Sequence, residues 1–231
     1  MGRAARIGEM SSVAVWALVA IVPLVVLTLT SFVKLSIVLS LLRNAIGAPD
    51  APSGLVVTGI ALVLTFFVMA PVAIDMAHAA AAVPAAPAAV PAPGSVDEAV
   101  QQLVPAEYRP QLDKTERAIV PLQVWLGKHA SAADRETFVG LAKKMGKEVK
   151  GDELWVLAPA FIASELREAF AIAVLIFLPF LVIDLVVALG LASLGLQASS
   201  PQSIALPFKL LLFVAVDGWR LLLESLLRGY M

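Results

Sequence analysis

The chain has 231 residues, of which 60% are hydrophobic and 15% charged, with a mean hydropathy of +0.89. An ordinary soluble domain carries about 25% charged residues, so a water-soluble monomer is excluded. Seventeen Lys and Arg against 18 Asp and Glu leave a net charge of -1, with no basic excess for a nucleic-acid backbone, and the lack of cysteine rules out disulfides, iron–sulfur clusters and thiolate metal sites.

Val13 to Val33 is a run of 21 uncharged residues, close to the ~20 that cross a hydrocarbon core. It reads as a first membrane-length helix. After Lys34 the apolar run resumes from Leu35 to Leu42 and closes on Arg43, Asn44, Gly47 and Pro49, a cation, glycine and proline order that stops a helix. Ala51 to Ile74 gives 24 uncharged residues, enough to recross, and the short joining loop predicts an antiparallel hairpin over residues 1–76. Past Asp75 the sequence turns to alanine and proline, and residues 77–94 read as a semi-rigid linker because prolines at this spacing forbid a continuous helix.

Residues 95–153 concentrate charge and read as a small, water-facing helical insertion. Ser95 with Glu98 and Ser131 with Asp134 resemble capping boxes, and Phe138, Leu141 and Met145 at helical spacing predict one amphipathic helix from Ser131 to Lys147. A second hydrophobic half, 154–231, begins near Leu154, meets Glu165, Arg167 and Glu168, and runs from Ala169 to Phe208 with Asp184 as its single charge. Forty residues exceed one crossing. The polar stretch Gln197 to Ser203 therefore divides it into another hairpin, whose last arm, Ile204 to Leu227, carries Lys209, Asp217, Arg220 and Glu224 and is too charged to face lipid all round. Pro23, Pro71 and Pro179 lie inside apolar blocks and are expected to bend them.

Charge does not orient the chain, since Arg3 and Arg6 before the first block compete with Lys34 and Arg43 after it. The first block is longer than a signal-peptide core and no small-x-small site follows, so the amino terminus is expected to be retained. His78 and His129 belong to no metal-binding pattern and read as surface residues, and neither a nucleophile elbow nor a phosphate loop occurs. The chain is expected not to be an enzyme and to need no cofactor.

The informative residues are the ionisable groups within apolar blocks: Lys34, Glu165, Arg167, Glu168, Asp184, Lys209 and Asp217. Each costs about 2.5 to 3.5 kcal/mol at a membrane helix centre, so each must pair or face water. Glu165 and Glu168 share a helix face while Arg167 points elsewhere. A polar conduit or subunit interface and a structural ion pair both fit that trio. Asp184 and Lys209 by themselves favour a structural ion pair.

These same residues carry a resemblance. Ser31-Phe32-Val33-Lys34, Leu41-Leu42-Arg43-Asn44-Ala45-Ile46-Gly47, Thr65-Phe66-Phe67-Val68-Met69-Ala70-Pro71, Phe161-Ile162-Ala163-Ser164-Glu165-Leu166, Phe177-Leu178-Pro179-Phe180-Leu181-Val182-Ile183-Asp184 and Leu206-Pro207-Phe208-Lys209 through Asp217-Gly218-Trp219 closely resemble the FliP/SctR family of type III secretion export-gate proteins. Both hydrophobic halves match in order; the linker and polar insertion have no clear counterpart. The resemblance implies an all-α chain of kinked, membrane-type helical hairpins with a small polar helical insertion. It implies a bacterial inner-membrane, multi-pass protein whose pentamer joins FliQ/SctS-like and FliR/SctT-like subunits in a helical gate extending to the periplasmic side. FlhB/SctU-like and FlhA/SctV-like components and unfolded secreted chains are the further partners implied, together with membrane lipid.

In that picture Lys34, Glu165, Arg167, Glu168, Lys209 and Asp217 are expected to make charge contacts between subunits. The family usually has a methionine-rich loop before its last helix, a soft gasket around the closed pore. This chain has Leu196, Gln197 and Ala198 there, followed by Ser199, Ser200 and Pro201, so a constriction at these positions would seal by narrowness instead. Phe32-Val33-Lys34 looks more like the injectisome branch and Leu64-Thr65-Phe66-Phe67 more like the flagellar one; the injectisome is favoured. A polytopic small-molecule transporter or channel is the alternative function, and a membrane hydrolase lacks a visible nucleophile–base pair.

Overall fold

The computed structural model describes residues 25, 27–48, 52–82, 109–196 and 200–231, and every element among them is helical. In chain order these are α1 (Phe32–Ile46), α2 (Gly54–Ala81), α3 (Arg109–His129), α4 (Ala132–Lys144), α5 (Leu154–Ser193), α6 (Pro201–Ala215) and α7 (Gly218–Arg228). The all-α expectation holds. The chain divides into two compact units, residues 1–68 with 161–231, and residues 69–160.

Most of the Val13–Val33 block lies outside the described residues, but Val25, Leu27 and Thr28 are helical and a turn separates them from α1. The block read as one helix through Val33 turns at Leu29 to Ser31, where the Thr28 and Thr30 hydroxyls donate to the Val25 and Leu27 carbonyls. Such local bonds compete with the helical ladder. The far end of α1 is as expected: Gly47, at φ 84°, takes the left-handed cap and donates its N–H to the Asn44 carbonyl. Lys34, Leu35, Val38, Leu39, Leu42, Ala45 and Ile46 form its buried stripe. Each of the larger aliphatic members contributes about 1.5 to 3 kcal/mol. They pack with Val57 and Ala61 of α2, Ala169 and Phe180 of α5, Phe213 of α6, and Leu222 and Leu226 of α7.

Two element boundaries differ from the sequence reading. Helix α2 does not give way near Asp75 but continues through Ala79 and Ala80 to Ala81, since alanine is the best helix former and the first breaking proline of the linker is Pro84. The last arm is not one helix: it breaks between Ala215 and Gly218. Asp217 there adopts the left-handed region at φ 52°. A Cβ on Gly218 would meet the Phe213 ring at 2.3 Å and its carbonyl at 2.8 Å, so glycine alone lets the chain fold back this tightly. The Phe213 and Trp219 rings then meet edge to face at 5.5 Å.

Helix α5 runs unbroken through Pro179 for 40 residues. At ~1.5 Å per residue its length is about twice the hydrocarbon thickness. It and α2 are long and apolar enough to cross a membrane, with mean hydropathies of 3.0 and 2.5 over 18-residue windows. Both leave large apolar side chains exposed, Phe66 and Phe67 on α2 and Leu175, Val182, Val186 and Leu189 on α5 among them. Gly195, at φ 71°, ends α5 by donating to the Ala192 carbonyl.

In the unit of residues 69–160, α3 and α4 form the polar helical insertion around buried Trp125, Leu126, Ala130, Ala142, Val156 and Leu157. The foreseen cap at Ser131 is present: its Oγ accepts the Asp134 N–H at 3.2 Å and donates to Asp134 Oδ2 at 2.7 Å. Farther on, Glu153 accepts the backbone N–H groups of Lys150 and Gly151, both at 2.9 Å. Burial alone would raise the Glu153 pKa, but these bonds outweigh it and hold the carboxyl below its ordinary value. Ser95 and Glu98, and most of the proline linker, lie outside the described residues.

Candidate functional site

The most unusual chemistry within the unit of residues 1–68 and 161–231 is a buried charge cluster. The stripe of α1 that buries leucines also carries Lys34, one turn after Ser31, and both are almost fully buried. On α5 the same spacing brings Ser164, Glu165 and Ala169 inward. Lys34 Nζ lies 3.1 Å from Glu165 Oε1 and 2.7 Å from Glu168 Oε2. It also sits 4.2 Å above the centroid of the Tyr230 ring, a cation–π contact strengthened by exclusion of water. The Tyr230 hydroxyl donates to Glu165 Oε2. Burial, and next the Glu165 carboxylate, raise the phenol pKa, so the hydroxyl keeps its proton.

Glu165 thus has both oxygens engaged and 1% side-chain exposure, whereas Glu168 is 51% exposed. The Ser31 hydroxyl, buried nearby along α1, has no hydrogen-bond partner. One ammonium, a phenol and two carboxylates with no base-activated nucleophile among them can hold helices together; they do not compose a hydrolytic site. Among the described residues no group of three His, Asp or Glu side chains could hold a metal ion.

A second pair lies farther along the same helices. Lys209 of α6 is buried, reaches Asp184 Oδ2 of α5 at 2.7 Å and donates to the Ala45 carbonyl of α1 at 3.1 Å. It therefore ties three helices and caps the carboxyl end of α1, where a cation is favoured. Asp184 Oδ1 is buried without a partner. Beside these charges an apolar hollow of about 350 Å³ opens between α5, α6 and α7, walled by Ile172, Ile176, Phe180, Phe213 and Leu222.

The structure therefore closes Lys34, Glu165, Glu168 and Lys209 into pairs within one chain. Pairing between copies is not needed to account for them, because α1, α5, α6 and the end of α7 already bring cations and carboxylates together. Arg167 is exposed on α5. Asp217 is exposed and does its work through the backbone, at the break before α7, where its side chain makes no capping bond. Leu196 is half exposed just after α5, while Gln197 and Ala198 lie outside the described residues. Sequence reasoning missed Tyr230, which follows no periodic pattern. It also missed the role of Gly218, for which the pair Asp217-Gly218 inside an apolar run was the available signal.

Comparison with known proteins covers most of this chain. The chain is 37% identical over 228 residues to the hypersensitivity response secretion protein HrcR of Ralstonia nicotianae, covering 96% of this chain and 98% of that one. It is 35% identical to Yop proteins translocation protein R of Yersinia pestis, covering 96% of each. It is 40% identical to flagellar biosynthetic protein FliP of Pectobacterium carotovorum, covering 90% of this chain and 73% of that one. The FliP family model matches residues 15–226, which include the charged residues of both clusters, though not Tyr230, together with Leu196 and the break at Asp217. The chain belongs to the FliP family.

Proposed function

We propose that this chain is a wall-forming subunit of the type III export apparatus of a bacterial inner membrane, lining a passage for unfolded secreted proteins. The observation that carries this reading is the combination of a family match over residues 15–226 with apolar helix surface that the chain leaves uncovered on α2 and α5. The internal charge clusters already tie α5 to α1, α6 and the end of α7, so the exposed faces serve lipid and neighbouring subunits. In this reading five copies join FliQ/SctS-like and FliR/SctT-like subunits, next to FlhB/SctU-like and FlhA/SctV-like components. The chain itself is passive: it has no catalytic role and no cofactor, and energy comes from partners. Leu196, with Gln197 and Ala198, rings the constriction.

Of the two branches this reading favours the injectisome, on the likeness of Phe32-Val33-Lys34, against the flagellar likeness of Leu64-Thr65-Phe66-Phe67. Deleting the gene and assaying both injectisome secretion and swimming motility tests function and branch together. Loss of secretion with intact motility is expected, and the wild-type gene restores it. Unchanged secretion and motility overturn the reading. Purification from native membranes is expected to bring two further small hydrophobic subunits; a self-sufficient monomer or dimer would instead mark a small-molecule transporter. A photo-crosslinker at position 196 is expected to capture a stalled secretion substrate.

A further inference from the structure

The hollow between α5, α6 and α7 has one apolar end and one charged end. The Tyr230 hydroxyl reaches Glu165, and Gly218 packs on Phe213, whose ring lies 6.5 Å from that of Phe180. Helix α7 therefore runs antiparallel to the stretch of α5 from Glu165 to Phe180. Ile172, Leu175 and Pro179 of α5 and Gly218, Leu221 and Ser225 of α7 line the space of about 350 Å³ between them. Positions 168, 172, 175 and 179 share one face of α5, and 221, 225 and 228 share one face of α7. Followed toward Tyr230, the two apolar stripes thus end on Glu168 and Arg228.

Leu175 and Leu221 line the hollow and are 70% and 57% exposed, so it opens on the bare apolar face of α5. Water entering it would find few polar partners, and its volume is more than twice the ~150 Å³ of a dry cavity that takes up benzene. The charged end has the character of a membrane surface, because beyond Arg167 and Glu168 helix α5 bears no charge until Asp184. Exposed charges balance at this end: Arg167 and Arg228 stand against Glu168 and Glu224, with Lys34 and Glu165 paired beneath. A headgroup with net charge would meet two side chains of its own sign, whereas a neutral one carrying both charges finds a partner for each. Glu168 stays with Lys34. The Arg228–Glu224 pair, 2.9 Å apart and 73% and 48% exposed, is of the kind that contributes little and opens easily.

We propose that the hollow holds an acyl chain of one zwitterionic aminophospholipid, whose phosphate accepts from Arg228 and whose ammonium donates to Glu224. The tail fills the apolar space between α5 and α7, and the headgroup divides the surface ion pair between its own two charges. This goes beyond the export reading and shares with it only the placement in a membrane.

The full chain, extracted from native membranes with the subunits it carries, is exchanged into detergent and its bound phospholipid counted by native mass spectrometry. One phosphatidylethanolamine per copy is expected to remain. Ile176→Trp, which fills the hollow from α5, and Ser225→Phe, which plugs it from α7, are each expected to lower retention about tenfold. In vesicles of equal phosphatidylethanolamine and phosphatidylglycerol, Glu224→Ala with Arg228→Ala is expected to keep the acyl chain and reduce the preference for phosphatidylethanolamine about threefold. Retention unchanged by both bulky substitutions, or equal retention of the two lipids by the unsubstituted chain, overturns the proposal. If the bulky variants unfold early, a photo-crosslinker at position 221 in intact membranes decides. Capture of phospholipid supports the site; capture of a neighbouring protein instead overturns it and leaves the export reading standing. A chain recovered outside the membrane fraction overturns both.

Discussion

At the scale of single residues, a buried ion pair stabilises less than it appears to on inspection, because desolvation offsets attraction; removing one partner is what costs. Lys34→Ala strands Glu165, which is 1% exposed, and is expected to destabilise the chain by about 3–5 kcal/mol. The double change Lys34→Met with Glu165→Leu replaces the pair by apolar volume and is expected to recover most of that loss. Thermal unfolding in detergent compares the two; equal destabilisation by both would show that the polar network, and not charge compensation, is what matters. Gly218→Ala places a methyl group 2.3 Å from the Phe213 ring, and about 1–3 kcal/mol of overpacking is expected. Asp217→Gly relieves the left-handed backbone at φ 52° and is expected to be neutral or stabilising. The buried charges were legible in the sequence because an ionisable group in an apolar run announces itself. Their partners were not, since Lys34 and Glu168 are 134 residues apart and no local rule connects them.

At the scale of elements, local chemistry explains which boundaries could be foreseen. Gly47 and Ser131 each announce a helix end through a backbone requirement, and both ends are where they were expected. The overrun of α2 through Ala81 and the start of α1 after Ser31 were hidden. In the first the alanines belong to helix and linker alike, and in the second threonine hydroxyls decide among similar apolar residues. The Glu153 loop gives a pH prediction. Its folded-state pKa lies below the ordinary value of 4.5, so its stabilisation is complete above that value and is lost as pH falls through the depressed one. Protection of the Lys150 and Gly151 amides against hydrogen exchange, taken relative to the intrinsic rate at each pH, is expected to fall in that acid range. In Glu153→Gln protection is expected to be low already at neutral pH, and equal protection in both proteins would refute the assignment.

At the scale of the whole molecule, the apolar surface of α2 and α5 shows what the chain leaves to its surroundings. Val182, 58% exposed on α5, is expected to tolerate isoleucine or leucine. Val182→Arg is expected to cost about 2.5–3.5 kcal/mol if lipid covers the site. Quantifying membrane-integrated protein measures this: unaffected integration with a lost oligomer would assign the position to a subunit contact. The helical class and the two hydrophobic halves could be read from composition and run length, but which apolar faces turn inward depended on the long-range pairs at Lys34 and Lys209.

The cluster at Lys34 also orders events in time. A ribosome adding about 5–20 residues per second makes Glu168 on the order of ten seconds after Lys34, since 134 residues separate them. The aromatic roof comes later still, because Tyr230 follows Glu165 by 65 residues. Throughout that interval the insertion machinery holds a nascent segment with an uncovered ammonium group. Biogenesis of this chain is therefore expected to depend on a factor that shelters Lys34 until translation finishes, and slowing elongation downstream of it would lengthen the period of exposure to quality-control proteolysis.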